Sequence, residues 1–388
     1  MIQANGIGRL VAVAMLAVLA GCGARDGLKE LEAGKAAFEL KDFKKAERLF
    51  EKSAEYAPQN VDVLIYLARV KLELGELEAA QAWVDKAAIQ AAGDVDVKLL
   101  GAQIAWHRKN YDDAARLYIE VANDAALEPR LRSQGWAGCG VVEMTRNEEQ
   151  MTKDACHMAR IAFLQSLRFD RKNASAWYHL GMLYRGGFDY KDAALEQFNF
   201  FVRLEADASP LVQKVHRNII PGLQDAIRQA TTERPGAAKR NSAASAAAQA
   251  KADDAWKRGS YKLAREQYQK ALDEDVLSYP AALGLAKAWL KTDTTKSGME
   301  RAFASYKQAC ILRTSAVSTF LAAGDLATKL GYYGEAVEIY SRAVASNPAS
   351  LDAIDGLIRA LRRVGGKQKL AIAYQRYRDG LTPPAAKK

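Results

Sequence analysis

One spacing constrains this chain more than any other feature. From Gly34, an alanine follows 12 residues on at Ala46, an aromatic 4 further at Phe50, and a proline 8 further at Pro58. Ala46, Ala80 and Ala114 then stand 34 residues apart. A second unit begins near Val61 and carries Leu67-Ala68, Gly75, Ala80, Val84 and Ala87; a third begins near Val95 and carries Ala102, Ala114, Tyr118 and Pro129. Another runs through Trp177, Leu180-Gly181, Tyr184, Ala194 and Phe198, with an extra residue in the turn Gly186–Tyr190. The order returns at Ala264-Tyr268-Ala271, at Gly324-Ala336-Tyr340-Ala343-Pro348, and from about Leu351 through Gly365 to Tyr374. Units this short cannot close a core alone, so such a chain must bury its apolar faces by stacking one unit on the next.

Composition says what the units are made of. The chain has 388 residues, 49% of them apolar and 9 of them proline, with alanine scattered throughout. That balance favours helix over strand. The repeated order resembles the tetratricopeptide repeat, in which helices A and B pack as an antiparallel pair. The resemblance implies an all-α solenoid of about nine helix-turn-helix units. Small residues at its eighth and twentieth positions let the helices approach, an aromatic at the twenty-fourth fills the space between pairs, and proline ends helix B. Two units depart from the pattern. In the fourth, Gly138 finds its helix-B alanine only at Ala159, with Phe163 and Ser166, so about nine residues including Arg146–Gln150 lengthen the turn or helix B. In the seventh, Leu285-Ala286…Ala302…Tyr306-Ala309 carries a stretched turn at Thr292–Gly298.

The apolar period lapses at 231–242, Thr-Thr-Glu-Arg-Pro-Gly-Ala-Ala-Lys-Arg-Asn-Ser, a composition read as a flexible linker. Two arrays are therefore expected, 27–230 with a capping helix from Ser209-Pro210 interrupted at Pro221, and 243–384, followed by a disordered tail at 385–388. Ala243–Ala250 has the helix propensity to be helix A of the sixth unit.

The N-terminus points to the envelope. Arg9 precedes the apolar run Leu10–Val18, which is too short for the roughly 20 residues a spanning helix needs. Leu19-Ala20-Gly21-Cys22 then resembles the bacterial lipobox. The resemblance implies a signal peptide at 1–21, acylation of Cys22 as the mature N-terminus, and a short tether at 22–26. Gly23 stands where an inner-membrane retention aspartate would be, which directs the expectation to the outer membrane, facing the periplasm. Cys139, Cys156 and Cys310 remain; an odd number allows at most one internal disulfide, with Cys139–Cys156 as the pair, or else buried thiols acting as small apolar residues.

Chemistry is hard to find. His107, His157, His179 and His216 lack zinc-ligand spacing, and no nucleophile elbow or phosphate-cradling glycine loop is present. Gly138-Cys139-Gly140 reads as a helix contact. No catalytic residue, metal or cofactor is assigned, and neither nucleic acid nor a small-molecule substrate is expected as a partner. The formal charge of +10 is diffuse, suiting anionic lipid or acidic partners.

The repeat resemblance also implies a concave groove lined by helix-A positions. In the first array these are Lys35, Phe38, Arg69, Trp106, Tyr178 and Arg185, with Leu31, Ile65, Leu72, His107 and Met182 beside them. That mixture suits an extended or helical peptide. In the second array they are Trp256, Lys287, Lys291, Arg359, Arg362 and Arg363, with Lys257, Asp325 and Asp355, suiting an acidic segment. The asparagines of the carboxylate-clamp subfamily are missing, so that ligand is not implied. The expected role is a scaffold that binds segments of other envelope proteins, in the manner of secretion, pilus or outer-membrane assembly lipoproteins. Regulation of cell-wall enzymes and glycan binding at the surface are the alternatives.

Overall fold

Helix starts in the computed structural model fall where a side-chain oxygen can take up an otherwise unpaired backbone amide. Asp42, Asn60, Asp94, Asn110, Thr152, Asn173, Asn241, Ser278, Thr295 and Ser350 each cap a helix by accepting from the amide three residues on. The structure describes residues 27–146, 152–205, 209–232 and 240–382. Among them every regular element is helical. The lipobox, the signal-peptide segment and most of the linker assigned to 231–242 lie outside the described residues.

The chain divides into two compact units between Arg146 and Asn147. The first holds α1 (residues 27–39), α2 (Phe43–Tyr56), α3 (Val61–Glu73), α4 (Leu77–Gln90), α5 (Val95–His107), α6 (Tyr111–Asn123) and α7 (Pro129–Arg146). The second holds α8 (Lys153–Phe169), α9 (Ala174–Gly186), α10 (Lys191–Leu204), α11 (Pro210–Lys214), α12 (Ile220–Thr232), α13 (Ser242–Lys257), α14 (Tyr261–Glu274), α15 (Tyr279–Thr292), α16 (Lys296–Leu312), α17 (Val317–Leu330), α18 (Tyr333–Ser346), α19 (Leu351–Arg363) and α20 (Gln368–Leu381). Most helices adjacent in sequence pack on one another within each unit, as α2 to α7 and α13 to α20 do in succession. The fourth repeat is split by this division, its helix A being α7 and its helix B α8. The helices on either side of residues 231–242 both belong to the second unit.

The repeat signature has a direct mechanical reading. Ala46, Ala80, Ala114, Ala159, Ala194, Ala264, Ala302, Ala336 and Ala371 are all buried, because a larger side chain there would hold the paired helices apart. The aromatic four residues on presses against a glycine of a neighbouring helix. A methyl group on Gly34 would lie 2.5 Å from the Phe50 ring, on Gly181 3.0 Å from Phe198, and on Gly324 2.7 Å from Tyr340. Tyr118 meets Gly138 in the same way, so the Gly138-Cys139-Gly140 stretch is a helix contact.

Both irregular units resolve into longer helices. α8 and α16 each have 17 residues, against 13 or 14 for their neighbours α9, α10, α15 and α17. The stretched turn expected at Thr292–Gly298 is confined to Asp293–Thr295, and Gly298 lies in the first turn of α16. Thr295 caps that helix, and Asp293 wraps so closely around it that a methyl group on Gly298 would collide with Asp293. Near Pro221 the helix is widened, not broken. A π-helical turn at Val215–Ile219 joins α11 to α12, which accommodates a residue that can neither donate its amide nor fit against the preceding turn. α12 packs on α10.

α8 is the interior helix of the second unit. Twelve of its residues between Ala155 and Leu167 are buried, covering every face. It packs against α9, the next helix in sequence, and against α20, the last. The three described thiols are free: Cys156 and Cys310 are buried and Cys139 is partly so. The pairing of Cys139 with Cys156 considered from the sequence is therefore not present. Burial pushes the Cys139 and Cys310 thiols up to about 12, which suits packing and not nucleophilic chemistry.

Candidate functional site

Part of the expected first groove comes together on α1, α3 and α5. Lys35 Nζ lies 5.5 Å and the Arg69 guanidinium 5.4 Å from the centre of the Tyr66 ring. Phe38 meets the same ring edge-on at 6.1 Å. Arg69 pairs with Asp96 at 3.1 Å, and Lys35 with Glu32 at 2.9 Å. The hydrogen bond to Glu32 outweighs desolvation and holds the Lys35 ammonium above its usual range. Beside them, Phe38, Arg69, Leu72, Asp96, Leu99 and Gln103 line a cavity of about 330 Å³. Leu31 and Ile65, placed in the groove from the repeat positions, are buried in the core, while Leu72 is largely buried and still forms part of the cavity wall.

The remaining positions are partly spent on packing. Trp106 is half-buried against Ala105, Ala114 and Val142, and its indole donates to Thr145 Oγ1 at 2.8 Å. Tyr178 packs on Phe198 and Phe201 at 6.0 and 5.3 Å. Arg185 is exposed on α9. Trp256 meets Tyr261 edge-on at 4.9 Å and packs on the core of α13 to α15. Lys287 and Lys291 are exposed on α15, Lys291 being 5.9 Å from the Tyr261 ring centre.

The three arginines of α19 diverge. Arg359 faces Asp325 of α17 at 3.7 Å, Arg362 donates to Gln375 of α20 at 3.3 Å, and Arg363 sits 6.0 Å from the Tyr333 ring of α18. Asp355 is taken up by Arg378 in a two-point pair at 2.8 and 3.2 Å. A single basic groove floor is therefore not assembled by these side chains.

The polar centre of the second unit was not anticipated by repeat positions. Arg160 of α8 is fully buried without a carboxylate among its hydrogen-bond partners. Its Nε donates to Tyr374 Oη at 2.9 Å, and Nη1 donates to Ser341 O and Oγ, both at 2.9 Å. Nη2 donates to Tyr374 Oη and, at 2.9 Å, to His157 Nδ1. Since a guanidinium only donates, His157 Nδ1 carries no proton and the ring is the neutral Nε2–H tautomer. Burial, with the charge of Arg160 beside it, drives the His157 pKa well below the ordinary histidine range. The Phe188 ring lies 4.7 Å from the guanidinium. The cluster joins α8 to α18 and α20 and is structural. Its one sequence signal is an arginine followed directly by Ile161-Ala162-Phe163-Leu164, four apolar residues that together occupy all sides of a helix.

His179 is structural as well, bonded through Nδ1 to Ser175 O at 2.8 Å and stacked on Phe163. Among the described residues no group of histidine, cysteine and carboxylate side chains is arranged to hold a metal ion, and no helix is long and apolar enough to cross a membrane.

Three segments, residues 37–104, 249–312 and 317–350, match models of the tetratricopeptide repeat. No curated protein sequence matches the chain. Solved structures are similar at low identity. One is a structure of pilF from Pseudomonas aeruginosa, with 17% identity over 55% of this chain and 95% of that one, at a TM-score of 0.41. Another is a double mutant of MamA from RS-1, with 16% identity over 46% of this chain and 94% of that one, at a TM-score of 0.36. A third is YrrB, described as a TPR protein with an unusual peptide-binding site, with 15% identity over 50% of this chain and 92% of that one, at a TM-score of 0.31.

Proposed function

We propose that this chain, a tetratricopeptide repeat protein, is a non-catalytic scaffold that binds segments of partner proteins at the bacterial cell envelope, anchored through a lipidated Cys22. Proteins built from this repeat mediate protein–protein interactions. The observation that carries the reading here is the patch on α1, α3 and α5. Two cations, Lys35 and Arg69, flank an aromatic ring beside an open cavity, and both stand on helices fixed by a rigid core. Such a surface offers an apolar anchor point with polar groups at its edge, the arrangement that dominates peptide binding energetics. Every tryptophan is at least partly buried, which argues against a sugar-stacking platform and so against the glycan alternative.

The envelope location rests on Leu19-Ala20-Gly21-Cys22 and the preceding apolar run. Acylation would supply the two or more chains that firm anchoring needs, and the absence of an aspartate after Cys22 favours the outer membrane.

Two variants test the two halves of the proposal separately. Cys22→Ala should release the protein from the detergent phase into the aqueous phase, or leave it unprocessed; unchanged partitioning would remove the anchor. In crosslinking pulldowns from native membranes, Arg69→Glu combined with Phe38→Ala should deplete a defined partner at least tenfold. A partner recovered equally with this double variant would move the binding function away from the α1–α3–α5 patch.

A further inference from the structure

A cleft of the second unit is lined mainly from helix-B elements and uses none of the helix-A groove positions considered above. It is open to solvent, about 600 Å³ in volume, and bounded by α8, α10, α20 and the α18–α19 turn at Asn347–Ala349. Its walls are apolar: Leu164, Leu167, Trp177, Phe200, Tyr377 and Leu381. Trp177 stacks on Phe200 with ring centres 4.6 Å apart, and its indole is fixed by donating to Arg171 O at 2.8 Å. Phe200 is nevertheless 37% exposed and Leu204 beside it 42% exposed. The Tyr377 hydroxyl donates to Pro348 O at 3.0 Å and so fixes the opposite wall.

Three arginines, Arg168, Arg171 and Arg203, line this cleft. Arg168 donates to Gly380 O, while the exposed Arg171 and Arg203 form no ion pair among the described residues. One acid, Glu196, lies with them, and burial raises its carboxyl pKa, which lessens its opposition to an incoming anion. Gln197, Ser346 and Asn347 also line the cleft, with the Gln197 amide donating to Ala193 O, the Ser346 hydroxyl to Thr314 O, and Asn347 Oδ1 accepting from the Ala349 amide. An apolar floor with exposed Arg171 and Arg203 at its rim is complementary to one kind of occupant: a protein segment with an apolar anchor residue flanked by carboxylates.

We propose that this helix-B cleft docks an acidic segment of a partner protein, with an apolar side chain against Trp177 and Phe200 and its carboxylates on Arg171 and Arg203. The inference rests on the reading of the chain as a binding scaffold, but it uses none of the residues of the α1–α3–α5 patch. The test is selection of a random dodecapeptide library displayed on phage against the full chain. Enriched sequences should combine aspartate or glutamate with leucine or an aromatic. A synthetic consensus peptide should bind at least tenfold more weakly to Arg171→Glu/Arg203→Glu and to Phe200→Asp, and equally well to Arg69→Glu. The two arginines are exposed, so their double variant should keep the wild-type circular dichroism and melting temperature even if Phe200→Asp does not. A neutral or basic consensus, no consensus, or binding lost in Arg69→Glu and kept in the arginine variant would each overturn the cleft; the last would leave the patch standing. Phosphatidylglycerol vesicles provide the other arm. Vesicle binding abolished by Arg171→Glu/Arg203→Glu, with no peptide selected, would assign the cleft to lipid and overturn the proposal.

Discussion

Two helix-A glycines separate close approach from mere smallness. A methyl group on Gly34 would be driven 2.5 Å from the Phe50 ring, in a core already closed by Leu31 and Ala46. On Gly101 it would meet only Val84 and Leu117, at 3.5 and 3.6 Å, which is ordinary contact. Gly34→Ala should therefore lower stability by about 1–3 kcal/mol through overpacking. Gly101→Ala should raise it by about 0.5–1 kcal/mol, since alanine gives up less conformational freedom in a helix interior. Urea unfolding midpoints of the two variants check both signs. Arg160 sets a harder residue-scale problem. Arg160→Leu keeps the volume roughly and leaves His157 Nδ1 and Tyr374 Oη bonded to each other at 2.8 Å, but it removes the guanidinium from Ser341 O, Ser341 Oγ and Tyr374 Oη. Acceptors that lose a charged donor in the interior cost about 1–3 kcal/mol, and a loss of that order is expected by thermal or chemical denaturation. A neutral outcome would mean that water replaces the guanidinium.

At the scale of elements, the repeat helices were legible because contact geometry forces their residue types. Ala46, Phe50 and Gly34 must be small, large and absent in turn for two helices to touch, so their spacing is written in the chain. The length of α16 was not legible. Thr292-Asp293-Thr294-Thr295 and Gly298 have the composition of a turn, yet Thr295 is a cap and Gly298 is glycine only because Asp293 leaves no room for a side chain. The candidate groove was legible only as positions: Lys35, Phe38 and Arg69 gather around one ring, but position cannot tell an available side chain from one, such as Trp106, that a neighbouring helix holds by a hydrogen bond. The role of α8 lay beyond the periodicity, because its partners in α18 and α20 are remote in sequence. α8 also gives the unit a pH response. His157 is held neutral, with a folded-state pKa far below the value near 6.5 expected for an unfolded chain. Above that value neither state binds the proton and stability is unaffected; below it the unfolded chain takes up a proton that the folded one refuses. Stability should therefore fall as pH drops from about 6.5 toward 5, by up to about 1.4 kcal/mol per pH unit from this group. His179, whose pKa burial also lowers, adds to the slope. Denaturation at several pH values should show a smaller slope in His157→Gln; an unchanged slope would remove the assignment.

For the molecule as a whole, the departure from a simple stack is in the second unit. In an open solenoid each repeat leans only on its neighbours, so removing the last helix loosens the one before it and little else. Here α20 covers α8, and Arg160 reaches Tyr374 across 214 residues of chain. Truncation after Val364, which deletes α20, should therefore raise amide exchange in α8 at least as much as in α19. Exchange confined to α19 and its immediate neighbours would show that the α8–α20 contact contributes little to local stability.

The same contact sets a clock on biogenesis. At a synthesis rate of about 5–20 residues per second, the 214 residues separating Arg160 from Tyr374 take roughly 10 to 40 s to follow. Through that interval the face of α8 that carries His157 and Arg160 lacks its final neighbours. A nascent chain stalled short of α20 leaves that buried charge without its partners, so the time the last helix takes to arrive sets how long the growing chain needs shielding.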